Sequence, residues 1–195
     1  MSQSPNTFLE ALKTVGLSAV LALGIRQFVA EARYIPSESM LPTLAVNDRL
    51  MIEKISYRFR PPERGDIVVF NPTAKLEEQD FHDAFIKRVI GLPGEEVAVE
   101  DGAVYIDGQP LNEDYIEPEE GLTQVGPCMV QHEDPFLAEP VVIPDNAYLV
   151  LGDNRPNSYD SRCWGIVPES KIIGRAAVRF WPLGRIGGVE RPDAE

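Results

Sequence analysis

Cysteine and histidine are scarce in this 195-residue sequence, which contains two of each. Cys128 and Cys163 are too few for a disulfide scaffold and too scattered for a zinc site. One disulfide and two buried thiols fit the sequence equally well. Neither histidine, His82 or His132, lies in a setting typical of a Ser-His-Asp triad, so we do not expect a histidine base.

Positive charge is also limited. Lys and Arg number 18 against 31 Asp and Glu, which gives a net charge of -13 and a pI near 4.6. Lys13 and Arg26 against Glu10 give the first thirty residues a charge of +1, which leaves -14 for the remainder. A body this acidic argues against nucleic acid as a partner. The 15 Gly and 17 Pro favour a loop-rich β architecture over a helical one.

One long apolar run without charges exists, at residues 14–25, and Lys13 and Arg26 flank it. As a helix this run spans ~18 Å, but an extension over residues 8–30 reaches the length needed for a ~30 Å hydrocarbon core. Hydropathy allows three interpretations: a retained membrane anchor, a cleavable signal peptide ending at Ala30-Glu31-Ala32, and a buried helix of a soluble domain.

The remaining sequence predicts an antiparallel β body. Asp101-Gly102 lies between two short apolar runs and indicates a two-residue type I′ hairpin. Residues 71–83 predict a surface loop, and the tail from Arg185 is expected to fray. Segment 111–139 has eight acids and no Lys or Arg, which favours an irregular insertion solvated by its charges. The predicted strands are 49–55, 66–70, 85–90, 96–100, 103–106, 147–151 and 172–181.

Ser39 is the candidate nucleophile. It lies between Pro36 and Pro42 in IPSESMLPTL, and these prolines hold the segment open, although the pattern by itself more often marks a surface turn. A hydroxyl needs a base to be a good nucleophile. Lys87 lies within an apolar run, where burial can bring its pKa from about 10.4 towards 8 at a cost of roughly 3 kcal/mol.

Four segments together resemble the type I signal peptidases, also called leader peptidases. They are PSESMLPTL around Ser39, GDIVVF from Gly65, KRVIGLPG from Lys87 and GDNRPNSYDSRCWG from Gly152. They follow the family's order and span residues 35 to about 181. The resemblance implies a membrane-bound serine endopeptidase that removes N-terminal signal peptides from exported preproteins after an Ala-x-Ala-like site, through an acyl-enzyme.

The resemblance also implies the domain organisation. Residues 1–33 would hold a cytoplasmic stub and one transmembrane helix, and residues 34–195 a mostly β, antiparallel catalytic domain. Residues 110–140 would be a short version of the family's variable, non-catalytic region. The protein would be single-pass in an inner (plasma) or thylakoid membrane, with the catalytic domain on the extracytoplasmic or lumenal side.

Roles at the site follow from the same resemblance. Ser39 would attack the scissile carbonyl and Lys87 would accept its proton. The Ser37 hydroxyl and the Ser39 backbone N–H would stabilise the oxyanion, and Ser158 would orient the lysine. Glu38 stands where the family often has glycine, so its side chain is expected to point away from the site.

Further residues are expected to support this site. Asp160 and Arg162 match a structural ion pair beneath it, with a surface pair worth ~0–1 kcal/mol as the alternative. Asp153 lies in a turn behind the site, and we expect Arg88 to be exposed or to line the substrate path. The predicted walls of small, apolar substrate pockets, each with a core role as the alternative, are Ile35, Met40, Leu41 and Ile86.

The implied partners are signal-peptide-bearing preproteins and the lipid bilayer, without nucleic acid, metal or cofactor. Two other classes are considered. One is a membrane-anchored β-rich binding module without catalysis. The other is a self-cleaving Ser/Lys regulator, which carries a DNA-binding helical domain. The first thirty residues are too short and too apolar to form such a domain.

Overall fold

The structure is a computed structural model that describes residues 7–116, 122–126 and 135–189. Helix α1 (Thr7–Phe28) precedes a body formed largely of strands, with two short helices, α2 (Ala74–Glu78) and α3 (Ser161–Trp164), between them. The strands of the described residues are β1 (Ala30–Tyr34), β2 (Arg49–Glu53), β3 (Ile67–Phe70), β4 (Phe85–Gly91), β5 (Glu96–Glu100), β6 (Ala103–Ile106), β7 (Gln109–Pro110), β8 (Val141–Val142), β9 (Ala147–Leu151), β10 (Val167–Pro168), β11 (Ile172–Trp181) and β12 (Gly187–Gly188).

These strands form two sheets, and every pairing is antiparallel. Within the described residues, the large sheet has eight strands in the order β1-β2-β11-β3-β4-β9-β10, and β12 pairs with β11. The small sheet has four strands in the order β7-β6-β5-β8. The mostly β, antiparallel fold class expected from the sequence is therefore confirmed.

The predicted strands are confirmed with small shifts at their ends. The β5–β6 hairpin follows the prediction closely, since Asp101 and Gly102 have φ values of 48° and 83°. Two consecutive positive φ values are the type I′ geometry that matches the twist of a hairpin. Local turn chemistry was therefore sufficient to place this hairpin.

Strand β1 and helix α2 depart from the sequence predictions, and so does β12, which pairs with β11 within the tail that was expected to fray. Strand β1 occupies residues assigned to the end of the anchor, and it pairs with β2 from Ala30 opposite Glu53 to Tyr34 opposite Arg49. Helix α2 lies inside the predicted loop 71–83, because Leu76 is fully buried and fixes a helical turn against the body. In these places tertiary contacts outweigh a weak local pattern.

Helix α1 is long and apolar enough to cross a membrane, with a candidate span Phe8–Phe28 of mean hydropathy 1.7. The body does not bury it, so the structure does not support a helix packed in a soluble core. Its last turn is bonded to the body. The Lys54 ammonium donates to the carbonyl of Arg26 at 3.0 Å, and the Arg58 guanidinium donates to the carbonyl of Phe28 at 3.0 Å. These donors satisfy carbonyl groups that a helix end leaves free.

Buried apolar side chains of the described residues form three clusters. One packs the segment after β1, including Ile35 and Met40, against β2 and β3. A second is aromatic, with the Phe70 and Trp164 rings 5.8 Å apart. The third joins the two sheets through residues such as Val97. Strand β4 runs between β3 and β9 in the middle of the large sheet, and it carries the candidate base into this packed interior.

Candidate active site

Ser39 and Lys87 meet at the edge of the packed interior. The Lys87 ammonium nitrogen, Nζ, lies 2.8 Å from Ser39 Oγ, although 48 residues separate them in the sequence. Ser39 is 7% exposed and Lys87 is 4% exposed. A hydroxyl is therefore held within hydrogen-bonding distance of an amine that water barely reaches, which is the geometry needed for proton transfer.

Burial changes the acid–base behaviour of the lysine. It lowers the pKa of Lys87 from 10.5 to about 8, because a charged ammonium is poorly solvated there. The carboxylates of Asp160 and Asp153 act in the opposite direction and raise this pKa, and the Arg162 guanidinium lowers it. The balance leaves a substantial neutral fraction near pH 8, and the neutral amine is the form that can act as a base.

The turn 152–154 holds the loop that carries Ser39. The Asn154 backbone N–H donates to the Ser39 carbonyl at 3.1 Å, and its side-chain amide donates to the Glu38 carbonyl at 3.1 Å. A Cβ at Gly152 would overlap the Ser39 carbonyl oxygen and Ser158 Oγ, so this close approach requires glycine. Two residues of one turn thus fix the backbone around the candidate nucleophile.

Asp160 and Arg162 form a buried pair under this turn. Arg162 Nε donates to Asp160 Oδ1 at 2.8 Å, and the Gly152 N–H donates to Asp160 Oδ2 at 3.0 Å. Burial favours the neutral carboxyl, but the guanidinium and these hydrogen bonds outweigh it, so the pKa of Asp160 lies below its ordinary value. Arg162 also donates to the backbone carbonyls of Arg155 and Ser158. The pair therefore braces the turn from inside the body rather than from its surface.

Arg88 corrects an expectation. It was predicted to be exposed or to line the substrate path, but it is 1% exposed. Its guanidinium makes two hydrogen bonds to the Asp153 carboxylate, at 2.8 and 2.6 Å, and a third to the Gly65 carbonyl at 2.9 Å. The apolar neighbours of Arg88 in β4 reflect burial on both sides of the sheet, and Asp153 compensates its charge.

The structure also places the other polar residues of the predicted site, Ser37, Glu38 and Ser158. Ser37 Oγ lies 3.4 Å from Ser39 Oγ, and the Glu38 side chain is exposed, as its position next to an oxyanion would require. Ser158 Oγ is buried next to Gly152, where a Ser158 side-chain hydrogen bond helps to lower the pKa of Asp160, while the hydrogen bond of the Lys87 ammonium goes to Ser39. Its orienting role towards Lys87 therefore stays a prediction.

An open cleft of about 410 Å³ leads to the two candidate catalytic side chains. Its walls come from the loop before Ser39, from residues 80–87 and from two residues of the last segment. Asp80 and Asp83 lie at this cleft together with the exposed, Asp80-bonded His82. The apolar and aromatic wall residues are Pro36, Phe81, Ala84, Phe85, Ile86 and Tyr159.

This lining differs from the predicted pocket walls. Ile86 lines the cleft, whereas Ile35 and Met40 are fully buried in the core cluster under β2. Leu41 lines a separate cavity of about 230 Å³ beside Asn154. Adjacency to Ser39 in sequence was a poor guide, because the loop turns sharply there and sends neighbouring side chains in different directions. The core role considered as the alternative fits Ile35 and Met40.

The insertion is less solvated than its composition suggested. Its described parts, 111–116, 122–126 and 135–140, contain no helix or strand, but Glu113 is bonded to the buried Arg155, which is 1% exposed. The contacts of both residues, and those of Asn154, could not be predicted from the sequence because their partners are distant along the chain. Cys163 is disulfide-bonded, and Cys128 lies outside the described residues.

A serine hydroxyl bonded to a buried lysine on an antiparallel sheet defines a class of proteins, the serine hydrolases in which lysine replaces histidine as the base. The comparisons with known proteins identify the family within this class. The family model described as "Signal peptidase, peptidase S26" matches residues 8–181.

Curated relatives agree with the family model. Probable signal peptidase I-2 of Synechocystis sp. is 58% identical over 186 residues, covering 95% of this chain and 79% of the relative. Signal peptidase I of Leptolyngbya laminosa is 57% identical over 192 residues, covering 97% and 88%. Probable thylakoidal processing peptidase 2 of Arabidopsis thaliana is 37% identical over 187 residues, covering 94% and 47%. The chain belongs to the signal peptidase family and is a type I signal peptidase enzyme.

Proposed function

We propose that Ser39 and Lys87 form the catalytic dyad with which this enzyme removes N-terminal signal peptides from exported preproteins after an Ala-x-Ala-like site. The observation that carries this proposal is the 2.8 Å hydrogen bond between Lys87 Nζ and Ser39 Oγ at the head of an open cleft. The relatives do not favour a non-catalytic binding module or a self-cleaving regulator.

The reaction follows from this pair. Neutral Lys87 accepts the Ser39 proton as Oγ attacks the scissile carbonyl, which gives a tetrahedral intermediate. The resulting ammonium donates its proton to the leaving amine, the C–N bond breaks, and an acyl-enzyme remains. Lys87 then accepts a proton from water, which attacks the ester. The second intermediate collapses, the Ser39 oxygen regains its proton, and the cleaved signal peptide leaves with a new carboxylate.

The oxyanion of each intermediate needs hydrogen-bond donors already in place. The Ser37 hydroxyl, 3.4 Å from Ser39 Oγ, and the Ser39 backbone N–H are the proposed donors. Asn154 supports this arrangement because it binds the carbonyls on both sides of that N–H, those of Glu38 and Ser39. The exposed Glu38 side chain keeps its carboxylate in solvent.

The walls of the cleft support a preference for small, uncharged side chains before the cut. Apolar and aromatic residues such as Phe85 and Ile86 flank the dyad, and Asp80 and Asp83 also lie at the cleft. A charged side chain among these apolar walls would lose hydration, and an acidic one would also be repelled by Asp80 and Asp83. Alanine-sized residues would lose little.

We also propose that α1 is a retained anchor in an inner (plasma) or thylakoid membrane, with the body on the extracytoplasmic or lumenal side. The unburied apolar helix supports this proposal, as do cyanobacterial and thylakoidal relatives. Lys13 pairs with Glu10 at 3.0 Å, which lowers the cost of a charge near the end of the span.

Processing of a preprotein with an Ala-x-Ala site tests the dyad. Ser39→Ala and Lys87→Ala are each expected to reduce kcat/KM by about 10³-fold or more, since either loss removes an essential partner in proton transfer. The exposed Ser170→Ala is the matched serine control and should keep full activity. Retention of more than a few per cent of activity by Ser39→Ala or Lys87→Ala would remove that residue from the mechanism.

Amino-terminal sequencing of the protein from membranes tests the anchor. A retained anchor predicts the original N-terminus and resistance to alkaline extraction. A mature chain beginning at Arg33 would instead show that residues 1–32 are a cleaved signal peptide. Protease treatment of sealed vesicles in both orientations would report which side carries the body.

A further inference from the structure

Two residues of the acidic insertion contact the two buried arginines that flank the dyad. We propose that Glu113 and Tyr115 are positioning residues, which hold the turn under Ser39 and the strand segment next to Lys87 in a fixed position relative to each other. The inference rests on the proposed dyad, and it gives part of the acidic insertion a role in turnover.

On the nucleophile side, the link runs through Arg155. Its guanidinium binds both oxygens of the Glu113 carboxylate, with one contact at 3.0 Å, and it also binds the buried Thr123 hydroxyl. Arg155 Nε folds back to donate to the Gly152 carbonyl at 3.0 Å. The turn closed by this bond contains Asn154, which binds the Ser39 carbonyl. Three hydrogen-bonded contacts, Glu113–Arg155, Arg155–Gly152 and Asn154–Ser39, therefore connect Glu113 to the backbone of the nucleophile.

On the base side, the link runs through Arg88. The centre of the Tyr115 ring lies 4.0 Å from the Arg88 guanidinium carbon, a short cation–π distance. Arg88 follows Lys87 in β4 and is held by both oxygens of Asp153. The Tyr115 hydroxyl donates to Glu113 Oε1 at 2.6 Å. One carboxylate thus joins the arginine behind the nucleophile to the arginine beside the base.

Removal of the Glu113 charge should alter the electrostatics at Lys87 as well as the geometry. The groups acting on the ammonium are Asp160 and Asp153, which favour the charged form, and Arg162, which opposes it. Arg155 also interacts with Asp160. Without Glu113, Asp160 would compensate more of the Arg155 charge, so it would stabilise the Lys87 ammonium less. Protonation of Lys87 produces the fall of kcat/KM at low pH, which is the acidic limb of the pH profile. This limb should then move to lower pH.

The test compares Glu113→Gln with Asp114→Asn in the full-length enzyme, using the same preprotein. Asp114 is the matched control, because it is an exposed acid of the insertion bonded to Asn112. For Glu113→Gln we expect kcat to fall about 10- to 100-fold with KM within about twofold, since Glu113 does not line the described cleft. The acidic limb of kcat/KM should shift down in pH. Asp114→Asn should match the wild type.

Glu113→Asp keeps the charge, so it should return the acidic limb to the wild-type pH even where kcat stays reduced. If Glu113→Gln folds poorly, Tyr115→Phe removes only the hydroxyl that donates to Glu113 and keeps the carboxylate charge, so it should lower kcat by a smaller factor with KM unchanged and leave the acidic limb at the wild-type pH. For Glu113→Gln, a merely structural role would lower the melting temperature and the active fraction without moving the limb, and that result would overturn the proposal.

An active Ser39→Ala enzyme would remove the proposed dyad itself. An inactive Ser39→Ala enzyme together with a Glu113→Gln enzyme indistinguishable from Asp114→Asn would leave the dyad in place and refute the positioning role.

Discussion

The large and small sheets stabilise the fold in different ways. Around the large sheet, charged groups are buried together, and the pairs Arg88–Asp153 and Arg162–Asp160 are almost inaccessible to water. The small sheet relies on ordinary alternation, in which residues such as Val97 and Val104 face the core and charged residues face solvent. Buried pairs often stabilise no more than apolar packing of equal volume, but here the Arg162–Asp160 pair orients the turn at Gly152 through hydrogen bonds to its backbone. The region with the candidate dyad therefore favours positional precision over stability.

The strongest test of this contrast is Gly152→Ala. A methyl group there would overlap the Ser39 carbonyl and Ser158 Oγ, so the nucleophile loop must move. We expect activity to fall at least about 100-fold, since a displacement near 1 Å is enough for such a loss. Gly188→Ala in β12 meets open space and should remain active. Wild-type turnover by Gly152→Ala would show that the tight turn does not matter.

Removal of one partner from a buried pair should be the next largest effect. Asp153→Asn leaves the Arg88 charge uncompensated and should lower the free energy of unfolding by about 3–5 kcal/mol. Glu77→Gln breaks the exposed Lys171–Glu77 pair, where about 0–1 kcal/mol is expected. Urea unfolding of both variants measures the difference. Equal losses would mean that burial of charge does not distinguish the two environments.

Lys87→Met should separate stability from function. Burial lowers the pKa of Lys87 from 10.5 to about 8, so below pH 8 the folded wild type holds a poorly solvated ammonium. The variant should be inactive but more stable at pH 7, by about 1–3 kcal/mol.

The pH dependence of this gain is a direct check of its cause. Between about pH 8 and 10.5 the folded wild type has lost the proton that the unfolded chain still binds, so wild-type stability rises with pH. The advantage of Lys87→Met should therefore shrink over this range. A gain that is constant from pH 7 to 10.5 would point to packing instead of charge.

The smallest effect is expected at the tip of the β5–β6 hairpin. Asp101 has φ 48°, a conformation that asparagine tolerates, so Asp101→Asn should change stability by less than about 0.5 kcal/mol and leave activity intact. Asp101→Val should cost about 1–2 kcal/mol because a β-branched side chain is strained there. Thermal unfolding measures both, and equal values would contradict the turn geometry.

Local patterns explain which parts of the fold could be predicted. Asp101-Gly102 dictates its own turn, and apolar runs such as Ala147–Leu151 must be buried wherever they pair. Ser39 and Lys87 were placed together by family resemblance, since no local rule links positions 48 residues apart. Their spacing in the chain carries no information about a 2.8 Å contact.

The parts that were missed depend on partners that the sequence does not reveal. A lone arginine in an apolar strand suggests an exposed edge until Asp153 is known to face it, and this is why Arg88 was misplaced. Glu113 looked like one solvated acid among eight until Arg155 was found buried against it, 42 residues away. Buried polar networks join residues that are distant in sequence, whereas turn motifs and apolar runs are local signals.

The connection between α1 and the body bears on how a substrate is reached. Val29 alone separates the helix from β1, and Lys54 and Arg58 bond its final turn to the sheet region. With α1 in a bilayer, these two bonds would restrict rotation of the body about the end of the helix and so limit the range of distances between the cleft and the lipid. Scissile bonds would then be selected by their depth relative to the lipid as well as by their side chains.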